Sequence, residues 1–184
     1  MRQLTNRASV SAASSLAEAV SASWSGIQSL LTAEEERSAI SEPMLARAVS
    51  RELPEGHGLF LGNSMPVRDL DFFAAARGDR PLFGANRGVS GIDGTISSGV
   101  GFSGGSGGPA TLLLGDLACL HDLNGLKLAA QADYPVTIVV LNNTGGGIFH
   151  FLPVAVNVEV FESHYGTPHG LQFRDAAGMF GLPY

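Results

Sequence analysis

The sequence has a single cysteine, Cys119, among 184 residues. No intrachain disulfide can form, so a disulfide-stapled secreted scaffold is excluded and a reducing, cytoplasmic setting is the default expectation. Charge is also scarce. Only 15% of residues are charged and the net charge is −6. That leaves no basic excess for nucleic acid or an anionic membrane surface. No apolar stretch approaches the ~20 residues that a membrane span needs. The start, MRQLTNRASVSAASSLAEAV, has arginines but no continuous apolar block, which excludes a secretory signal. Its Ser-rich, acid-poor character faintly resembles an organellar transit peptide, so a plastid would be the setting in a plant. What remains is a globular chain, 45% hydrophobic, long enough for one domain with a real core and an appendage.

Leu16, Val20, Trp24, Ile27 and Leu31 recur at steps of three and four. This spacing predicts an amphipathic helix running roughly from Ser11 to Ser38. A second helix is expected over Glu42 to Glu52, with Pro43 in its first turn. From Gly58 the pattern changes to short apolar runs alternating with helix-like stretches. GLFLGNS, PLFGANRG, ATLLLGD and VTIVVLNN read as strands, the last two buried on both faces. MPVRDLDFFAAA and the small-residue run IDGTISSGVGF read as helices, and GGSGG at 104–108 reads as a loop. Leu120, Leu123, Leu126 and Ala130 share helical spacing between the last two strands. Such alternation implies an α/β fold, a parallel sheet with helices on both faces. Ligands collect at the carboxyl ends of such strands. Here those ends read GNS, NRG, GD and NN, all opening on one edge.

Two of these ends carry side-chain oxygens at adjacent positions of the expected sheet. Singly, Asp116 reads as a helix cap and Asn142-Asn143 as a turn. Jointly, they offer a carboxylate and an amide oxygen, with a backbone carbonyl from the turn at TGGG. That is a donor set for a hard divalent cation, which Mg²⁺ sites typically complete with phosphate oxygens and water. The helix starts beyond Asp116 and Asn143 offer N–H groups to the same anion.

Gly-Asp, about two dozen residues, then Asn-Asn resembles the thiamin diphosphate motif. GNSMPVRDLD, NRGVSGIDG, GDLACLHDLNGL and NNTGGGIFHFLP, in this order, resemble the carboxy-terminal domain of the 2-succinyl-5-enolpyruvyl-6-hydroxy-3-cyclohexene-1-carboxylate synthase family, of menaquinone and phylloquinone biosynthesis. The resemblance divides the chain into residues 1–57, the end of a middle domain and a helical linker, and residues 58–184, a thiamin-diphosphate-binding domain. It implies decarboxylation of 2-oxoglutarate and transfer of the succinyl unit to isochorismate. It implies Mg²⁺ or Mn²⁺ held by Asp116, Asn143 and the Gly145 carbonyl, and cofactor contacts from Ser90, Gly91, Ile92, Gly115, Leu117 and Gly146, with Ile92 as an apolar wedge. Ser64, Arg68 and Arg87 would meet substrate carboxylates, for which the arginine fork is suited. Ile148, Phe149 and Leu152 would line the substrate pocket.

Two departures qualify the match. Leu117 stands where the general motif has a second glycine, which disfavours the acetohydroxyacid synthase branch, the alternative carboligase. The family's activating glutamate also belongs to an amino-terminal pyrimidine-binding domain, normally of another subunit in a homo-oligomer. The chain ends at FGLPY, where the family continues, and reads as truncated there. The isolated chain is therefore expected to be catalytically silent, with an unpaired sheet edge, and a non-catalytic cofactor-binding module is the reading from outside the enzymes. GVGFSG at 99–104 matches a dinucleotide fingerprint but leaves no room for its helix. GFSGG lacks the strand that a hydrolase elbow needs. His164 and His169 read as surface histidines, and Cys119 as an inert residue packed inward.

Overall fold

Four parallel strands form one sheet in the order β2-β1-β3-β4. The computed structural model describes residues 7–37 and 40–184. The strands are β1 (Gly58–Leu61), β2 (Phe83–Ala85), β3 (Ala110–Gly115) and β4 (Val136–Leu141). Before the sheet come α1 (Arg7–Glu35) and α2 (Glu42–Glu52). Within it are α3 (Met65–Phe73), α4 (Thr95–Ser106), α5 (Asp116–His121) and α6 (Gly125–Ala129), and after it α7 (Val158–Phe161) and α8 (Phe173–Phe180).

The pleat of β3 divides the core. Leu112 and Leu114 turn to one face, where they meet Ile96 of α4, Cys119 of α5 and Leu126 of α6, with Phe173 of α8 packed alongside. Leu113 turns to the other, joining Leu59 and Leu61 of β1, Ala46 of α2 and Leu70 of α3. Successive residues of a strand point to opposite faces, so a strand covered on both must be apolar throughout. Leu112, Leu113 and Leu114 are fully buried. Each such leucine contributes about 1.5–3 kcal/mol relative to exposure. Helices therefore cover both faces, as expected.

Several boundaries differ from the sequence reading. Residues 104–106 of the expected glycine loop belong to α4, which ends only at Ser106, with Gly107 left-handed at its cap. The GVGFSG stretch lies wholly inside this helix. Its Gly99 faces Leu112, and a Cβ there would come within 2.5 Å of the leucine side chain. Glycine thus lets helix and sheet approach closely. The leucine-rich segment after β3 is two short helices. Asp122 breaks it, its carboxylate accepting hydrogen bonds from the Ser97 N–H at 2.7 Å and the Ser97 hydroxyl at 3.0 Å. The first helix ends at Glu35, and the expected end at Ser38 lies outside the described residues. Its apolar stripe stays open: Leu16, Val20, Trp24 and Ile27 are exposed. Glu35 near its end pairs with Arg51 of α2 at 2.6 Å. Among the described residues no helix is long and apolar enough to cross a membrane.

Candidate functional site

Because the strands are parallel, their carboxyl ends share one edge, and four polar ends meet there. Asn63, after β1, donates from Nδ2 to the carbonyls of Asn86 at 2.8 Å and Gly91 at 2.6 Å. Its Oδ1 accepts from Arg87 Nη1 at 3.1 Å. One amide thus joins the end of β1 to the loop after β2. Ser64, Ser90 and Thr144, following β1, β2 and β4, all have positive φ, at 75°, 63° and 67°. Non-glycine residues held there cost about 1–3 kcal/mol each, and such residues cluster at functional sites.

Asp116 is buried beside the end of β4. Its Oδ1 accepts from the Leu117 N–H at 2.7 Å. Its Oδ2 accepts from the Gly145 N–H at 2.9 Å and lies 3.1 Å from His169 Nε2. The same Gly145 N–H reaches Asn143 Oδ1 at 3.2 Å. Asn143 Nδ2 donates to Glu42 Oε1 at 2.7 Å. The Gly145 carbonyl accepts from the Gly147 N–H at 3.0 Å, which leaves its second lone pair free of that bond. The Gly145-Gly146 turn lies against the segment at 165–167, and the Gly146 N–H donates to the Gly166 carbonyl at 2.7 Å. A side chain at Gly145 or Gly146 would collide with the carbonyls of Gly166 or Tyr165.

These groups enclose a cavity of about 130 Å³, whose wall includes Ser64, Ile92, Gly115, Asp116, Leu117, Asn143, Gly145, Gly146, Ile148 and Phe149. A second cavity of about 440 Å³ shares Glu42, Met65, Asn143 and Gly145–Gly147 with it, and adds Asp69, His150 and Glu162. Ten of the candidate residues therefore share one hollow. Ser90 and Gly91 stand outside its lining, although the Gly91 carbonyl is tied to Asn63. Leu152 is exposed and also lies outside. Arg68 and Arg87 are exposed at the rim. Arg68 Nη1 donates to the Ser64 carbonyl at 2.6 Å. Among the described residues neither arginine pairs with a carboxylate.

His169 corrects the sequence reading. It is no surface histidine: its side chain is 11% exposed, and it is bound to the central carboxylate. A separation of 53 residues hid the pairing. Glu42 in the sequence marks only a helix start, and its contact with Asn143 spans 101 residues. His164 fits the surface reading better; it is exposed and, among the described residues, bonds to its own neighbourhood, Ser163 and the Val160 carbonyl. Cys119 is buried, and burial, helped by nearby Asp122 and Asp116, pushes its thiol up to about 12. Such a thiol is inert at neutral pH.

The donor chemistry suits a hard cation. One carboxylate oxygen and one amide oxygen converge on the turn at the Gly145 N–H. Among the described residues no three His, Cys, Asp or Glu side chains gather as an all-protein metal cage.

No family model matches the chain. Curated relatives do. Over 149 residues it is 59% identical to the 2-succinyl-5-enolpyruvyl-6-hydroxy-3-cyclohexene-1-carboxylate synthase of Rubrobacter xylanophilus, covering 81% of this chain and 26% of the relative. The synthase of the same name from Chlorobium phaeobacteroides is 51% identical, over 79% of this chain and 25% of the relative. That from Salinibacter ruber is 49% identical, over 82% and 25%. The chain thus spans about a quarter of the length of the curated relatives it matches. Among solved structures, a candidate thiamin diphosphate-dependent enzyme from Mycobacterium smegmatis shares the fold at a TM-score of 0.59 and 21% identity, covering 78% of this chain and 26% of that one.

Proposed function

We propose that this chain, a relative of part of the 2-succinyl-5-enolpyruvyl-6-hydroxy-3-cyclohexene-1-carboxylate synthases, is the cofactor-diphosphate and metal-binding domain of such an enzyme. Residues 58–184 form that domain in this reading, and residues 1–57 lead into it. The observation that carries the proposal is the convergence of Asp116 and Asn143 on the Gly145 N–H at the ends of adjacent strands.

Asp116, Asn143 and the Gly145 carbonyl hold Mg²⁺ or Mn²⁺. An ion held there would supply the positive charge that a diphosphate requires. Ile92 and Leu117, in the cavity wall, supply apolar contact to its body. When bound, the cofactor supplies the electron sink for decarboxylating a 2-oxo acid and forming a carbon–carbon bond. The chain's own part is to bind and orient. Arg68 and Arg87, uncommitted to any carboxylate among the described residues, take the carboxylates of 2-oxoglutarate and isochorismate, with Ser64 beside them. Ile148 and Phe149 give the apolar wall. The proton relay at the aminopyrimidine requires a carboxylate from the enzyme's amino-terminal domain, across a subunit interface of a homo-oligomer.

Calorimetric titration with thiamin diphosphate, with and without Mg²⁺, tests this. Saturable binding that needs the ion is expected. Equal binding with and without it, or equal binding of unphosphorylated thiamin, would remove the metal–diphosphate site.

A further inference from the structure

Both side chains assigned to the metal are themselves held by residues from outside the two strand-end motifs. Asn143 is exposed and its amide could turn either way, but only one orientation presents Oδ1 to the ion. Glu42 Oε1 lies 2.7 Å from Asn143 Nδ2. A carboxylate there accepts only from the NH₂ side, so it fixes the amide with its oxygen toward Gly145 and Asp116. Gly147 completes the seat, since a Cβ there would come within 2.5 Å of Asn143 Nδ2.

Asp116 is held from the other side. The Leu171 N–H donates to His169 Nδ1 at 3.0 Å, so that nitrogen carries no proton. The ring proton therefore sits on Nε2, which faces Asp116 Oδ2 at 3.1 Å. Phe173 packs against the imidazole edge-on, with ring centroids 6.2 Å apart, and limits its rotation. The histidine and the Gly145 N–H together fill Oδ2, and the Leu117 N–H takes one site on Oδ1, which leaves the outer lone pair of Oδ1 for ligation.

We infer that Glu42 and His169 are positioning residues for the metal ligands, Glu42 setting the Asn143 amide and His169 setting the Asp116 carboxylate. The inference rests on the proposed metal–diphosphate site. It also makes α2 part of that site, because Glu42 is its first residue. Removing groups that orient metal ligands typically costs about 10–100-fold in metal affinity.

The test is calorimetric titration of the 184-residue chain with thiamin diphosphate in Mg²⁺, beside the ligand-free melting temperature. Glu42→Ala and His169→Phe should each weaken metal-dependent binding about 10–100-fold. Glu42→Gln keeps an acceptor for the Asn143 amide, and His169→Gln keeps an N–H for Asp116. Both should bind within about threefold of the unaltered chain, because the orienting bond survives. Alanine or phenylalanine variants that bind like the unaltered chain overturn the inference and leave the site intact. So do glutamine variants as weak as Glu42→Ala with unchanged melting. If His169→Phe fails to melt cooperatively, the Glu42 pair decides alone. An unaltered chain that binds no thiamin diphosphate in Mg²⁺ overturns the site beneath, and the inference with it.

Discussion

Asp116 and Asn143 end neighbouring parallel strands, and their side chains accept hydrogen bonds from one backbone N–H, that of Gly145, at 2.9 and 3.2 Å. Two oxygens that share one donor are held close, ahead of any ion. The left-handed Thr144, between Asn143 and Gly145, turns that N–H inward. The strain of this turn is offset by the bonds that it makes possible.

Asp69 of α3 gives a stability prediction. It is 1% exposed, and among the described residues its Oδ2 has no hydrogen-bond partner. Burial, and then the nearby Glu42 charge, push its carboxyl from 3.8 up to about 6. The sign follows directly. An acid with a raised folded-state value holds its proton longer when folded, so stability is highest below about pH 4 and falls as pH rises to about 6. Asp69→Asn stays neutral throughout. It should leave the melting temperature unchanged near pH 4 and raise stability by about 1–3 kcal/mol at pH 7. A variant that is equally or less stable at pH 7 would contradict this.

Gly99→Ala should destabilise the chain although alanine favours helix. The propensity gain is about 1 kcal/mol. Against it stands a Cβ within 2.5 Å of Leu112, a fully buried core residue of β3. Overpacking of this kind costs about 1–3 kcal/mol. Chemical denaturation should show a lower midpoint with unchanged slope; a raised midpoint would show that the core yields there.

Arg68→Ala or Arg87→Ala, placed in a complete synthase, should raise the KM for a dicarboxylate substrate and spare cofactor affinity. A charge-assisted hydrogen bond contributes about 1.5–3 kcal/mol, roughly ten- to a hundredfold. Steady-state kinetics beside cofactor titration separates the two. Equal losses of both would assign the arginines to folding instead, as with Arg77, whose guanidinium bonds the Ser50 and Leu53 carbonyls.

The strand-end pattern was legible because it is local. An apolar run ending in Gly115-Asp116 or Asn142-Asn143 marks both the strand and its ligand-facing tip, and parallel pairing puts the tips together. The run at 104–106 was not, because glycine and serine there suit a loop, and only the packing of α4 on Leu112 favours helix. Asn63 lies within the strand end GNS, but nothing local shows that its amide bonds the loop after β2. His169 and Glu42 left no local trace, since what defines them is a partner 53 or 101 residues away.

The most direct test of the metal–diphosphate site is the electron paramagnetic resonance signal of Mn²⁺ titrated with the chain and thiamin diphosphate. Free aqueous Mn²⁺ gives a sharp six-line spectrum that broadens when the ion is held. The signal should fall in proportion to the unaltered chain, and only when thiamin diphosphate is present, because the protein donors alone do not complete the coordination shell. Asp116→Ala, which removes the charged ligand, should restore the free-ion spectrum. Loss of signal that is the same for Asp116→Ala, or that ignores thiamin diphosphate, would contradict the site.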